Sequence, residues 1–359
     1  MPIIQVLIIS LLGAFMATDY LKLLPSDARR SLNKIVFVTF TPSLVFASLA
    51  KTVRLHDIVS WWFMPVNIGI TFLVGGTLGW IAVKILRPEP HLQGLIIAMC
   101  SSGNLGNILL IIIPAICKEN GSPFGDKNVC TTVGLSYVSF SMALGAFYIW
   151  TYTFHLIRSA GAKYKEIVAA EESRKEPNKD LETNEKSLLL NGSEHVHTHS
   201  VEHITEKQTG LIDNNNHYNN FRFLDSYLEQ WHGLKPYYWD GTIPCITLIL
   251  GGNLTQGLRK ARLKAGMVIA VICVRYIILP VVGIGVVQTA SHLGFLPSDP
   301  LYHFVLMIQF TLPPAMNIGT MTQLFDVAQE ECSVLFLWTY LVAAIALTAW
   351  STVFMWILS

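Results

Sequence analysis

Nine apolar runs dominate this chain: 3–18, 34–50, 60–85, 93–117, 131–157, 241–258, 265–290, 302–324 and 333–358. A helix needs about 20 apolar residues to cross the hydrocarbon core of a bilayer, and most of these runs reach that length. Nearly all charged residues fall between the runs. Long apolar runs with short polar connectors specify a bundle of membrane-crossing helices, since backbone groups in lipid must be satisfied within their own segment. A β-barrel would show short alternating strands instead. Composition agrees, because only 14% of the 359 residues are charged, against roughly 25% in soluble domains. A net charge of +1 gives nucleic acid no electrostatic footing. Six cysteines are too few for a disulfide framework. The expected fold class is an all-α, polytopic membrane protein.

The first run begins at Ile3 with no Lys or Arg before it and no clear small-x-small cleavage site. It therefore reads as a short first span, clipped at its start, rather than as a cleaved leader. Residues 158–240 break the pattern with Lys- and Glu-rich, Asn-rich and His-rich stretches. Such a segment buries too little apolar surface to fold alone and reads as a disordered loop. Near its end Phe221, Leu224, Tyr227, Leu228 and Trp231 recur at helical spacing, which suits a short helix lying on the membrane surface or an irregular loop end. Three parts result: a first membrane unit of five spans (1–157), the loop (158–240) and a second membrane unit of four spans (241–359).

Basic residues near span ends set the orientation. Lys22, Arg29, Arg30 and Lys34, then Lys84 and Arg87, then Arg158, Lys163 and Lys165 lie on one side; Lys51, Arg54, Lys118 and Lys127 lie on the other. The richer side should be cytosolic, with the long loop, and the N-terminus should face away from it. The connector Arg259, Lys260, Arg262 and Lys264 should be cytosolic too, yet only one run separates it from the loop. Either 241–258 does not cross or a span is missing. Internal symmetry points to the second. Pro42 and Pro244 each stand near the start of an apolar run, and Asn107 with Pro114 corresponds to Asn317 with Pro313 and Pro314. The two halves then read as repeats of a five-span unit, the second without its first span.

Two spans are poor continuous helices. The fourth reads Ser101-Ser102-Gly103-Asn104-Leu105-Gly106-Asn107 before an apolar run to Pro114; the run 302–324 carries Gln309, Pro313, Pro314, Asn317, Gly319, Thr320 and Thr322. Proline removes a backbone hydrogen bond and glycine loosens the helix. Broken helices at membrane depth are tolerated where they line a cavity, and their half-helix N-termini suit an anionic ligand. Two kinked helices whose asparagines bond neighbouring spans is the plainer alternative. The breaks recur at corresponding places, so Asn104, Asn107, Pro114, Pro313, Asn317 and Thr320 are candidate substrate-binding residues.

Arg275 lies mid-span in 265–290, where a charge is expensive and usually functional or paired. No Asp or Glu lies deep in a run, so a structural or gating role, in which the guanidinium ties backbone carbonyls together, is expected over direct substrate contact. Pro42 and Pro244 share that structural or gating class. The missing buried carboxylate also argues against simple sodium or proton coupling. Cys117 and Cys130 bracket the connector after the fourth span and could form a disulfide in an oxidising lumen, or remain two free thiols. His195, His197, His199 and His203 in the loop make a poor metal site. No catalytic constellation, cofactor motif or metal site is expected.

Three blocks, GNLGNILLIIIPAIC (103–117), DGTIPCITLILGGNLTQGLRK (240–260) and VRYIILPVVGIGVV (274–287), resemble the PIN-LIKES proteins of plants, relatives of the PIN-formed auxin efflux carriers. The resemblance covers nearly every span. It implies ten spans in two inverted five-span repeats, with scaffold and transport domains and a substrate site where the fourth and ninth helices break and cross. It places Asn107 and Pro114 on the first break and Pro313 with Asn317–Ile318 on the second; the PIN-formed relatives have a proline where Ile318 stands. It further implies auxin (indole-3-acetic acid) as substrate and the endoplasmic reticulum membrane as location; the expected mechanism is an elevator-like shift of one domain, with the oligomeric state, a homodimer included, left open. The family has a span before DGTIPC, where this chain has FLDSYLEQWHGLKPYYW. A non-transporting regulatory or inactive shortened protein is therefore the competing expectation.

Overall fold

A computed structural model of the chain describes residues 2–18, 20–21, 23–36, 39, 59–106, 108–119, 122–175, 245, 247–249, 251–252 and 263–359. Pro42, Asn107, Pro244, the Arg259–Arg262 cluster, the surface helix expected near 221–231 and the histidine tract lie outside them. The chain divides into two units, Met1–Val168 with Tyr238–Ser359, and Ala169–Tyr237. The membrane helices belong to the first.

The described residues are helical, with no named strand. They form α1 (Pro2–Met16), α2 (Ser26–Ile35), α3 (Phe63–Leu86), α4 (Pro90–Ser101), α5 (Leu109–Lys118), α6 (Lys127–Tyr148), α7 (Phe154–Lys175), α8 (Ala265–Cys273), α9 (Leu279–His292), α10 (Pro300–Ile308), α11 (Asn317–Leu324) and α12 (Gln329–Leu358). Single π-turns, Ile149–Thr153 and Val274–Ile278, splice α6 to α7 and α8 to α9. Four continuous helices among the described residues are long and apolar enough to cross a membrane: Phe63–Leu86, Lys127–Ala170, Ala265–His292 and Gln329–Leu358. The apolar runs 93–117 and 302–324 are instead each split into two shorter helices, α4 with α5 and α10 with α11.

The α6–α7 helix runs on past 157, where the sequence suggested the loop begins, and ends at Lys175. Ala, Glu and Lys dominate 160–175 and favour helix without any tertiary support. The 44 residues of Lys127–Ala170 would reach about 66 Å at 1.5 Å per residue. That is roughly twice the hydrocarbon thickness, so the polar part of α7 extends beyond the apolar slab.

Connectors gather at two ends of the bundle. At one end Asp126 caps α6 by accepting from the N–H groups of Asn128 (2.9 Å) and Val129 (3.1 Å). Asp299 caps α10 by accepting from the Leu301 N–H (2.9 Å) and also receives the Tyr137 hydroxyl (2.5 Å). Cys117 and Cys130 are joined there as a disulfide, closing the α5–α6 connector. At the other end Arg87 takes a left-handed conformation (φ 46°) to end α3, and Pro90 starts α4. The His91 and Tyr164 rings meet there at 5.0 Å, and Phe154 and Phe325 at 5.1 Å.

Helices α3 and α4 pack backbone to backbone. A Cβ on Gly75 would lie 2.5 Å from the Cys100 carbonyl oxygen, and one on Gly79 would lie 3.0 Å from the Ile97 Cα. Small residues are how helices approach closely in lipid, where the hydrophobic effect does not drive association. This contact holds the C-terminus of α4 firmly at the point where the helix ends.

Candidate functional site

Helix α4 stops at Ser101 because Ser102, Gly103 and Asn104 follow, residues that favour turns and caps over helix interiors. Ser102 is already extended (φ −92°, ψ 105°). On the other side α10 tightens into a 3₁₀ turn, Gln309–Thr311, and then meets Pro313 and Pro314. Neither proline has an N–H to continue a helix. The chain stays non-helical until α11 begins at Asn317.

The two breaks meet. Gly103 and Pro314 form an antiparallel bridge. The Asn104 N–H donates to the Pro313 carbonyl (2.8 Å) and the Ala315 N–H donates to the Ser102 carbonyl (2.9 Å). A broken helix at membrane depth exposes backbone groups that lipid cannot satisfy, and here each break satisfies part of the other. All of Ser102–Leu105 and Leu312–Met316 is buried.

Side chains from four further helical segments close on this crossing. The Tyr340 hydroxyl, from α12, accepts from Asn104 Nδ2 (2.9 Å) and donates to the Pro314 carbonyl (3.1 Å), so one oxygen holds both breaks. Ser102 Oγ lies 2.5 Å from Thr153 Oγ1, on the first π-turn. A buried chain of amides ties the base of the second break to α3 and α6: Asn67 Nδ2 donates to Gln309 Oε1 (2.8 Å) and to the Leu306 carbonyl (3.1 Å), and Gln309 Nε2 donates to Ser141 Oγ (3.0 Å).

Arg275 sits on the second π-turn and is fully buried. Its Nε donates to the Met99 carbonyl (2.9 Å). That carbonyl belongs to the last turn of α4, where no helical N–H can reach it, and a cation there also meets the negative end of the helix dipole. The sequence suggested a guanidinium tying several carbonyls together. In the structure one is bound, and Nη1 and Nη2 are buried without a hydrogen-bond partner among the described residues. Nη1 faces the crossing: a Cβ on Gly103 would lie 3.3 Å from it.

The structure brings some of the expected site residues together and spreads others. Asn104 and Pro313 lie in the crossing itself. Asn317 opens α11 directly after it, and Thr320 lies one turn further, its carbonyl accepting from Asn33 Nδ2 (3.2 Å). Pro114 lies inside α5, past the extended segment. Sequence reading missed Tyr340, Asn67, Ser141 and Thr153. A buried Tyr hydroxyl usually needs a partner, but nothing in the run 333–358 shows which one. A cavity of about 270 Å³ lies elsewhere, among His91, Tyr164 and the α11–α12 connector from Asp326 to Glu331.

A helical membrane bundle with two broken helices crossing in its core is the build of a membrane transport protein. Comparison with known families agrees: residues 1–227 and 240–351 match the family described as Membrane transport protein. Two proteins of Arabidopsis thaliana, PIN-LIKES 7 and PIN-LIKES 5, are each 54% identical to it, across 100% of this chain and 97% of theirs. PIN-LIKES 3 of the same plant is 41% identical over the same shares. The chain belongs to the PIN-LIKES family.

Proposed function

We propose that this chain is a carrier for the auxin indole-3-acetic acid or a similar organic carboxylate, acting in the endoplasmic reticulum membrane by an elevator-like movement. The observation that carries the reading is the antiparallel bridge between Gly103 and Pro314, where two broken helices cross inside the bundle. The helices that follow the breaks, α5 and α11, point their N-termini back toward the crossing, and such ends attract anions. Candidate ligands of the substrate are Asn104, Asn107, Pro313, Asn317 and Thr320, with Pro114 shaping the helix behind the first break. Two inverted repeats, 1–157 and 241–359, would then stand either side of the cytosolic loop 158–240. The end carrying the Cys117–Cys130 disulfide would face the lumen with the N-terminus, in keeping with an oxidising compartment. A homodimer fits the same scheme.

The test is uptake of radiolabelled indole-3-acetic acid into vesicles from endoplasmic reticulum containing the chain. Saturable uptake above that of empty vesicles is expected. Uptake no greater than in empty vesicles, at normal protein abundance, contradicts the reading.

A specific observation favours the second reading, a non-transporting shortened protein. The alignment to PIN-LIKES 7 spans 385 positions against the 359 residues of this chain, so that relative carries about 26 residues that this chain lacks. The family match is interrupted between residues 227 and 240, just before the run 241–258. One span needs about 20 residues. The same uptake assay, with an apolar span added before Asp240, separates the readings: carriage only in the lengthened chain would favour the second.

A further inference from the structure

We propose that Arg275 is the residue that recognises the substrate's carboxylate, an inference that rests on the carrier reading above and assigns the anion-selecting group within that site. The argument begins with what the guanidinium lacks. An arginine side chain has five N–H donors in a fixed planar fork and stays charged. Here one donor, on Nε, is used on the Met99 carbonyl. The four on Nη1 and Nη2 have no partner among the described residues, although the residue is 0% exposed. Among the described residues no carboxylate pairs with it; the groups in electrostatic range are Cys100, Tyr276 and Tyr340. A buried charge without a counter-charge is strongly destabilising, so a bundle that retains one has a use for it.

Position supplies the use. The Nε bond aligns the fork on the C-terminus of α4 and leaves Nη1 beside Gly103, at the bridge to Pro314. Two parallel N–H groups on the Nη edge match the spacing of two carboxylate oxygens, the geometry that makes arginine the preferred carboxylate receptor. Glycine at 103 keeps a side chain off the guanidinium, since a methyl group there would lie 3.3 Å from Nη1. Thr311, the last residue before the second extended segment, carries another buried hydroxyl without a partner among the described residues. The π-turn explains how a mid-span residue reaches this place: one extra residue in the turn rotates the side chains that follow, and such turns recur at functional sites. A carboxylate on the Nη edge would neutralise the guanidinium, so cargo and site would cross the bilayer together without net charge.

The test uses the full-length chain purified into nanodiscs and two probes, indole-3-acetic acid and its neutral amide, indole-3-acetamide. The wild-type chain should prefer the acid. Arg275→Gln should weaken acid binding on the order of 10- to 100-fold and leave amide binding unchanged. Arg275→Lys keeps the charge without the fork and should fall between. If Arg275→Gln does not fold, the wild-type and Arg275→Lys chains decide: the acid should raise the wild-type melting temperature more than the amide does, and Arg275→Lys should narrow that gap. A folded Arg275→Gln protein that keeps its preference for the acid overturns the proposal. So does a wild-type melting temperature moved equally by both probes, or by neither. Acid binding abolished by Arg275→Gln, in a chain that carries no acid across vesicles, would overturn the carrier reading and leave the anion site standing. Transport with unchanged acid selectivity in Arg275→Gln would do the reverse.

Discussion

The two helix breaks reach the same geometry by opposite chemistry. The first, Ser102-Gly103-Asn104, is made of residues that can leave a helix but are not compelled to. The second, Pro313-Pro314, is compelled, because neither residue has an N–H to donate. The permissive break brings side chains that bond: Ser102 to Thr153 and Asn104 to Tyr340. The compelled break brings mainly carbonyls, of Pro313 to the Asn104 N–H and of Pro314 to the Tyr340 hydroxyl. A rigid break can thus serve as the template on which a more pliable one is ordered. Arg275 and Gly103 both lie on the pliable side.

The comparison breaks most sharply at Tyr340, which holds both sides. Tyr340→Phe removes one oxygen but leaves both Asn104 Nδ2 and the Pro314 carbonyl without that partner in a buried setting. Leaving buried polar groups unsatisfied costs about 1–3 kcal/mol, so a clear drop in melting temperature of the purified chain is expected. An unchanged melting temperature would mean that the breaks do not depend on this strut. The smaller test separates the template from its partner. Pro314→Ala returns an N–H and loosens the unfolded chain, which should lower stability by about 0.4–1 kcal/mol without disturbing the Pro313 carbonyl bond to Asn104. Circular dichroism melts of the two variants side by side should rank Tyr340→Phe well below Pro314→Ala. A reversed order would show that proline rigidity, not the shared hydroxyl, holds the crossing.

Much of the architecture was legible because it rests on local rules. Apolar runs give the spans, and Gly103, Asn104, Pro313 and Pro314 mark the two breaks by backbone chemistry alone. Arg275 stood out as a mid-span charge for the same reason. What escaped depends on which helices touch. Nothing near Tyr340 in sequence indicates that its hydroxyl reaches Asn104, 236 residues away, and the Asn67–Gln309 bond spans 242 residues. The π-turns were invisible because the spans that carry them are apolar all round, so a change of helical phase leaves no trace in the pattern. Pro114 reads as a helix breaker in the sequence, yet α5 absorbs it and stays helical. The helix running on to Lys175 was masked by its charge, which reads as a loop although its residues favour helix.

The central claim is that the crossing of the two breaks is where a carboxylate binds. It is tested most directly by equilibrium binding of radiolabelled indole-3-acetic acid to the purified full-length chain and to its Asn107→Ala and Asn317→Ala variants. On this account the Asn107 and Asn317 amides supplement the backbone N–H groups at the breaks, so losing one hydrogen bond to a charged group should weaken affinity roughly 10- to 100-fold in each folded variant. Unchanged affinity in both would contradict the account.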